Sequence, residues 1–217
     1  MLTSAVPIHV GIVPDGNRRW ARRNGVSLLE AYLRGYRNVK MLSKELYNRG
    51  VRVVSVYGVS AENCERRSPE EKKIIEKVAI HALRDLRSDE FVKTKDIAVR
   101  VLGWPSRLSE AAAIEAEITM RELDRGKGGL FVLLICYSGR AEIEWYSARG
   151  MIPPSLLLPP VDLVIRTGGV RRLSGFLPVA SDYAELYFSD KLWPDFGLED
   201  IEKALSWFSM QKRNFGR

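Results

Sequence analysis

Apolar, β-branched runs typical of buried strands alternate with segments of helical periodicity along the whole chain. This alternation restricts the possible folds more than any other feature of the sequence. Fully apolar strands that alternate with amphipathic helices are typical of a parallel sheet with helices on both faces. The sequence predicts a single α/β domain over residues 1–217, with a largely parallel central sheet of about six strands flanked by helices. The strands predicted from β-branched runs are residues 8–13, 51–59, 97–102, 130–137, 161–165 and 184–188.

Composition excludes several classes of protein and favours others. No apolar run approaches the ~18 residues of a membrane-spanning helix, so we expect a cytoplasmic protein. The only cysteines are Cys64 and Cys136, and this number predicts neither a zinc site nor a disulfide framework. The net charge of +7 favours a phosphate-rich partner: nucleic acid, an anionic membrane surface or a phosphorylated small molecule.

Polar segments follow four of the predicted strands directly. They read PDGNRRW at residues 14–20, SAEN at 60–63, YSGR at 137–140 and RTGG at 166–169. The carboxyl ends of parallel strands meet at one edge of the sheet, where open α/β folds bind their ligands. The sequence therefore predicts one active site at this edge.

The first polar segment has the features of a diphosphate site. Asp15 and Gly16 begin a turn into a basic helix, which offers free backbone N–H groups to an anion and a carboxylate to a divalent cation. A nucleotide-hydrolysing P-loop is excluded, because Asn17 and Arg18 stand where Lys and Ser or Thr are required. An ordinary Asp-Gly turn before a solvated helix is the alternative interpretation.

The last polar segment predicts a second phosphate site. Gly168 and Gly169 lie among donors suited to phosphate, namely Arg166, Arg171, Arg172 and Ser174. Two such sites imply two phosphorylated substrates. Glu62 and Asn63 either orient or deprotonate a substrate between them, or simply cap a helix.

Several motifs resemble those of the cis-prenyltransferases, the undecaprenyl diphosphate synthase family. They are HVGIVPDGNRRWA at residues 9–21, VYGVSAEN at 56–63, the segment 162–174, YAELYF at 183–188 and LWPDF at 192–196. Their order is that of the family, and the resemblance spans nearly the whole chain.

The resemblance implies a Mg²⁺-dependent transferase. Such an enzyme condenses isopentenyl diphosphate repeatedly onto an allylic diphosphate (farnesyl, geranyl or geranylgeranyl), leaving a Z double bond at each addition. The expected product is a long-chain polyprenyl diphosphate for carrier-lipid synthesis, grown into an apolar tunnel. We also expect a homodimer, no nucleic-acid partner, and peripheral membrane contact for product release.

Site residues follow from the same resemblance. Asp15 and Asn63 are expected to be catalytic, and Asp15 and Glu185 to bind magnesium. The expected substrate-binding residues are Gly16, Asn17, Arg18, Arg19, Trp20, Ser60, Ala61, Glu62, Arg66, Arg166, Arg172, Leu173 and Ser174. Ile74, Ile75, Ile114 and Ile118 either line the tunnel or, as we favour, pack in the core.

The chain also departs from the bacterial pattern of the family. Leu28 and Tyr32 stand where an arginine and a histidine are expected, and Val59 and Cys64 replace aromatic residues. We therefore expect a rebuilt allylic pocket, with Arg18, Arg22 or Arg34 as the replacement cation. The C-terminal Arg-x-Gly motif reads Asn214-Phe215-Gly216, so Arg213 is a candidate for its arginine.

Two other hypotheses remain open at this point. A non-catalytic partner subunit of a heteromeric enzyme is disfavoured, because Asp15, Glu62, Asn63 and Glu185 are all present. A nucleic-acid-binding domain rests on the positive charge alone, without aromatic platforms or a groove-reading helix.

Overall fold

The computed structural model describes residues 6–213 and contains a sheet of six parallel strands. In sheet order β3-β4-β2-β1-β5-β6, every neighbouring pair is parallel. All six predicted strands are confirmed, with ends that differ by at most two residues. The strands are β1 (His9–Val13), β2 (Val53–Ser60), β3 (Ile97–Gly103), β4 (Gly129–Tyr137), β5 (Leu163–Arg166) and β6 (Glu185–Phe188).

Helices occupy most of the connections between strands. Serine side chains cap several of them: Ser27, Ser68 and Ser109 each accept a hydrogen bond from a backbone N–H of the first helical turn. The helices are α1 (Asn17–Asn24), α2 (Leu28–Asn48), α3 (Ala61–Arg66), α4 (Pro69–Ser88), α5 (Glu90–Thr94), α6 (Glu110–Leu123), α7 (Gly139–Ser147) and α8 (Leu198–Ser209). No helix in residues 6–213 is long and apolar enough to cross a membrane.

The two faces of the sheet are covered differently. Helices α2, α4 and α8 pack on one face through residues such as Leu42, Leu83 and Phe208. The other face is buried mainly beneath the segment 158–180, which contributes Phe176 and Leu177. Strands β1, β4 and β5 are therefore buried on both sides, which explains their nearly continuous apolar sequences, whereas the edge strand β6 is only partly buried.

A disulfide joins Cys64 of α3 to Cys136 of β4, and the expectation of none was wrong. The two Cα atoms are 5.7 Å apart although 72 residues separate them in sequence. Both side chains are buried where α3 packs against β4. Cysteine number and spacing could not reveal this pairing, because it depends on where the fold places α3.

Candidate active site

The carboxyl ends of the strands open onto one cavity of about 820 Å³ between the sheet and helices α2 and α4. Twelve residues of the predicted site line it, so the fold brings these residues together at one edge of the sheet as the sequence predicted. They are Asp15, Gly16, Asn17, Arg18, Arg19, Ser60, Glu62, Asn63, Arg66, Arg166, Arg172 and Ser174.

Asp15 lies in the turn between β1 and α1, and its backbone is held firmly. Its N–H donates to the hydroxyl of Thr167 at 2.9 Å, and its carbonyl accepts from the backbone N–H of Trp193 at 3.0 Å. The next residue, Gly16, has a φ of +118°, and a Cβ there would approach Leu192 to 2.9 Å. Glycine is thus required for the turn that directs the Asp15 carboxylate into the cavity.

Two arginines flank the Asp15 carboxylate. Arg19 Nη2 lies 3.1 Å from Oδ1, and Arg166 Nη2 lies 3.1 Å from Oδ2. Asp15 keeps about a third of its side chain exposed, at 34%. It is therefore paired with both cations and still accessible from the cavity.

Arg166, at the end of β5, organises the second predicted phosphate loop. Its Nη1 donates to the Ser174 hydroxyl at 2.9 Å and also to the carbonyl of Arg172. Ser174 has a positive φ of 53°, a conformation that a non-glycine residue rarely adopts. The loop thus wraps around a buried guanidinium, while the Arg172 side chain stays exposed on the cavity wall.

The end of β2 brings the third polar segment to the same cavity. The Ser60 hydroxyl accepts a hydrogen bond from the N–H of Asn63 at 3.1 Å and caps α3. Capping therefore belongs to Ser60, and Glu62 and Asn63 line the cavity. Ala61, the remaining residue of the segment 60–63, is buried and does not line the cavity.

Three further predicted residues lie outside the cavity. Trp20 is buried, and its Nε1 donates to Asp195 Oδ1 at 2.7 Å, so it fastens α1 to the 195 turn. Leu173 packs against the buried cluster that contains Phe176 and Leu177. Glu185 begins the edge strand β6 in register with Leu163, at the amino end of the sheet, so a single chain does not bring it to Asp15.

Arg213 also lies at the amino end of the sheet. Its Nη1 donates to Asp162 Oδ1 at 2.6 Å, and Asp162 Oδ2 accepts from the backbone N–H groups of Ile8 and His9. Within one chain, Arg213 therefore lies at the opposite end of the sheet from the cavity. Asn214, the other candidate for the C-terminal motif, lies outside the described residues.

The sequence did not identify a group of residues beside Arg18. Tyr32 and Arg67 line the cavity there, and the buried carboxylate of Glu71 lies behind them. The only available signal was position, since Arg67 lies four residues after Asn63, the last residue of the SAEN segment, and Tyr32 departs from the family pattern. Their convergence from α2 and the start of α4 depends on tertiary packing.

The three candidate replacement cations lie in different places. Arg18 lines the cavity. Arg34 donates from Nε to the carbonyl of Pro194, and its guanidinium lies 5.1 Å from the ring of Trp20. Arg22 is exposed and is not part of the cavity lining. This geometry favours Arg18.

The cavity is strongly basic at its mouth and apolar at depth. Six arginines line it against the two carboxylates Asp15 and Glu62, an excess of four positive charges. The arginines are Arg18, Arg19, Arg66, Arg67, Arg166 and Arg172. Ile75, one of the four isoleucines considered, lines the apolar part, whereas Ile114 is half exposed on α6.

Comparisons with known proteins agree along the whole chain. The family model described as putative undecaprenyl diphosphate synthase matches residues 13–216. The chain is 39% identical to the tritrans,polycis-undecaprenyl-diphosphate synthase (geranylgeranyl-diphosphate specific) of Aeropyrum pernix, over 97% of this chain and 99% of the relative. It is 31% identical to the ditrans,polycis enzyme of Buchnera aphidicola, named as (2E,6E)-farnesyl-diphosphate specific, over 98% and 91% of the two chains.

Two solved structures share the fold. Lavandulyl diphosphate synthase from Lavandula x intermedia, solved with dimethylallyl diphosphate, superposes with a TM-score of 0.88 at 28% identity, covering 98% of this chain and 99% of the other. A probable undecaprenyl diphosphate synthase from Campylobacter jejuni gives a TM-score of 0.78 at 22% identity, covering 97% and 99%, and shows the fold alone.

Proposed function

This chain belongs to the undecaprenyl diphosphate synthase family and is a transferase of the cis-prenyltransferase type, and we propose that it adds isopentenyl diphosphate repeatedly to an allylic diphosphate. Each addition leaves a Z double bond, and the product is a long-chain polyprenyl diphosphate for carrier-lipid synthesis. One observation carries this proposal: a single cavity joins a mouth lined by six arginines to an apolar tunnel. A reaction between two diphosphates, one bearing a growing hydrocarbon chain, requires this combination.

We propose geranylgeranyl diphosphate as the allylic primer. The relatives from Aeropyrum pernix, at 39% identity, and Sulfolobus acidocaldarius, at 34%, are both named as specific for it. The farnesyl-specific relative from Buchnera aphidicola is less similar, at 31%. Farnesyl and geranyl diphosphates are the competing primers.

Asp15 fits the role of a magnesium ligand. Mg²⁺ in phosphate-transferring sites is typically held by one or two carboxylates together with substrate phosphate oxygens. Asp15 offers a partly exposed carboxylate at the centre of the arginine groups. Described residues contain no cluster of three or more possible metal-binding side chains, so substrate oxygens would complete the coordination. When bound, Mg²⁺ supplies positive charge that stabilises the departing diphosphate.

The chain's own groups stabilise the departing diphosphate as well. Cleavage of the allylic C–O bond places negative charge on the diphosphate oxygens. Arg18 and Arg19, at the start of α1, and the free backbone N–H groups of that turn are positioned before the reaction begins. Preorganised donors of this kind lower the barrier because they need no rearrangement as charge develops.

The second diphosphate belongs to isopentenyl diphosphate, which we place at Arg166, Arg172 and Ser174. Glu62 and Asn63, in the first turn of α3 directly after β2, line the same cavity. Because a neutral amide is a poor base, we assign Asn63 to orienting the isopentenyl unit and the proton it loses. The proton then passes to a diphosphate oxygen or to Asp15.

We also propose that the enzyme is a homodimer in the cytoplasm, with peripheral membrane contact during product release. Exposed apolar side chains on α7 and the segment after it support an interface with a second copy: Trp145, Met151, Ile152, Leu156 and Leu157. Strand β6 is an edge of the sheet, and edge strands are usually covered. Membrane contact follows from the insolubility of a long polyprenyl chain in water.

The decisive experiment uses the purified protein alone. It is incubated with Mg²⁺, isopentenyl diphosphate and, in parallel, geranyl, farnesyl or geranylgeranyl diphosphate, and the products are separated by chain length. We expect elongation with highest kcat/KM for geranylgeranyl diphosphate and Z configuration in the added units. No elongation with any primer contradicts the proposed function, and activity that appears only with a second protein supports a heteromeric enzyme.

A further inference from the structure

Glu71 is a buried carboxylate with three polar neighbours beside the cavity mouth. The Tyr32 hydroxyl donates to Oε1 at 2.7 Å. Arg67 Nε lies 3.6 Å from Oε1, and Arg18 Nη1 lies 3.9 Å from Oε2. A carboxylate is buried at this depth, with 9% of its side chain exposed, only where its partners offset the cost of removing it from water. Glu71 thus links three elements: α1, α2 and the turn before α4.

The two arginines retain donors for a ligand. Both contacts with Glu71 are longer than an ordinary hydrogen bond, and a guanidinium has five N–H donors. The side chains of Arg18 and Arg67 stay 52% and 19% exposed, and both line the cavity. Glu71 contacts them from behind, outside the cavity lining. Two cations and one anion leave this wall with a net positive charge.

Tyr32 supplies a neutral donor to Glu71. Burial, and then the hydrogen bond with Glu71, raise the pKa of the Tyr32 phenol, so the group stays protonated. The phenol therefore holds the carboxylate without cancelling either arginine. A cation at this position would instead compete with Arg18 and Arg67 for the Glu71 carboxylate.

The position of Glu71 on α4 indicates which substrate this wall receives. Ile75, Val78, Ala79 and Ala82 follow it at spacings of 4, 7, 8 and 11 residues, which places them on the same helical face. All four line the apolar part of the cavity. The two arginines therefore lie where the tunnel begins, as expected for a ligand with a diphosphate head and a hydrocarbon tail.

We propose that Glu71, held by Tyr32, is a positioning residue that fixes Arg18 and Arg67 as a two-cation clamp for the diphosphate of the allylic substrate. The inference rests on the proposed function and assigns roles to Tyr32, Arg67 and Glu71, which the sequence motifs did not include. A guanidinium fixed before binding loses less conformational freedom when its ligand arrives.

Binding without turnover tests the clamp separately from the reaction. Calorimetry in Mg²⁺ buffer measures the Kd of geranylgeranyl diphosphate alone and of isopentenyl diphosphate alone. For Glu71→Gln we expect about tenfold weaker binding of geranylgeranyl diphosphate, since both arginines lose their anchor. Isopentenyl diphosphate should bind as it does to the wild type. Glu70→Gln, an exposed neighbour in the same helical turn, is the matched control and should change neither Kd.

The opposite result is physically reasonable and would overturn the proposal. If Glu71 only adds negative charge near the ligand, its removal reduces repulsion and tightens binding of geranylgeranyl diphosphate. An unchanged Kd also contradicts a positioning role. Equal weakening for both substrates indicates general damage to the site and contradicts the assignment to the allylic diphosphate.

Tyr32→Phe provides a milder variant should Glu71→Gln unfold. We expect about threefold weaker binding of geranylgeranyl diphosphate, because only one hydrogen bond to Glu71 is lost. In the double variant, Tyr32→Phe should add nothing to Glu71→Gln, since the phenol acts through the carboxylate. Additive effects would show that Tyr32 contacts the ligand directly and would overturn its role. Tyr47→Phe on the same helix, whose hydroxyl bonds the Leu130 carbonyl, is the control.

Steady-state kinetics distinguish failure of this inference from failure of the proposed function. With an active wild type, Glu71→Gln should raise the KM for the primer and leave the KM for isopentenyl diphosphate unchanged. If the wild type elongates the primer but shows no such split, the clamp is wrong and the function stands. If the wild type elongates no primer at all, the proposed function itself fails.

Discussion

Arg166 Nη2 lies 3.1 Å from Asp15 Oδ2, so one ion pair joins the carboxyl ends of the neighbouring strands β5 and β1. Arg166 is only 5% exposed, whereas Asp15 faces the cavity. A buried cation needs partners of this kind. Asp15 thus pairs with Arg166 and also presents a carboxylate to the cavity.

Removing the charge of Asp15 should abolish most of the activity. For Asp15→Asn we expect kcat to fall at least ~100-fold, because a carboxylate that holds Mg²⁺ at a leaving diphosphate contributes several kcal/mol. The amide oxygen can still accept a hydrogen bond from Arg166, so the fold should survive. Kinetics and thermal unfolding are measured beside the exposed control Asp124→Asn. Activity within threefold of wild type at saturating Mg²⁺ would contradict the metal role.

Arg172→Ala should weaken isopentenyl diphosphate selectively. Charge-assisted hydrogen bonds contribute roughly 1.5–3 kcal/mol, so the KM for this substrate should rise about tenfold or more. The KM for the allylic primer should change much less. The neighbouring Arg171→Ala is the control, because Arg171 is exposed but does not line the cavity. Equal effects on both substrates would contradict two separate diphosphate sites.

Phe131 should limit product length. It lines both the apolar part of the large cavity and a smaller cavity between α2, α4 and α5, and together with Tyr36, Val39 and Leu86 it forms the wall between the two. Phe131→Ala should join these spaces and shift the products to longer chains, at a cost of about 3 kcal/mol or more in stability. Chain lengths are compared with Phe91→Ala, which enlarges only the smaller cavity. A folded Phe131→Ala enzyme with unaltered product lengths would refute this boundary.

Reduction of the disulfide should destabilise the protein. Closing a loop of 72 residues restricts the unfolded chain, so reduction should lower the free energy of unfolding by about 4 kcal/mol. Denaturant unfolding with and without dithiothreitol measures the change, and a Cys64→Ala/Cys136→Ala double variant should not respond to the reductant. Two titratable thiols in the unreduced, denatured protein would disprove the pairing.

Asp89 should make the protein sensitive to acid. Burial acts to raise the pKa of Asp89, but ion pairs with Lys40 and Lys44 outweigh it and lower the pKa from 3.8 to about 2. The folded carboxyl binds its proton less readily than the unfolded one. Its stabilisation is therefore complete above about pH 4 and is lost as pH falls toward 2.

The matched variants are Asp89→Asn and the exposed Glu90→Gln. At neutral pH, Asp89→Asn should lower the free energy of unfolding by roughly 2 kcal/mol, and it should flatten the dependence of stability on pH below about pH 4. Glu90→Gln should have little effect, because its side chain is 84% exposed. Parallel pH profiles for wild type and Asp89→Asn would argue against this role of Asp89.

Local sequence patterns were enough to predict the strands and the edge of the sheet at which the polar segments meet. Val10, Ile12 and Val13 predict a strand because β-branched residues fit the pleated, buried surface of a sheet, and this pattern can be read without knowing the neighbouring strands. Parallel strands then bring Asp15, Asn63 and Arg166 to the same edge by topology alone. The motifs therefore identified most of the polar residues that line the cavity before any packing was known.

Packing between distant segments decided the remaining features. The Cys64–Cys136 disulfide, the Tyr32–Glu71 hydrogen bond and the burial of Trp20 each depend on how helices lie against the sheet or against one another. Glu185 belongs to a recognisable motif, yet its register in β6 places it at the far end of the sheet from Asp15.

The sequence by itself determined the α/β class, the six strands, the basic edge and the family, because each is encoded in residues that are near one another in the chain. Only the tertiary structure decided which arginines face the cavity and which carboxylate stands behind them. The physical reason is distance: Tyr32 and Glu71 lie 39 residues apart, and no local preference reports that the folded chain brings the two side chains to 2.7 Å.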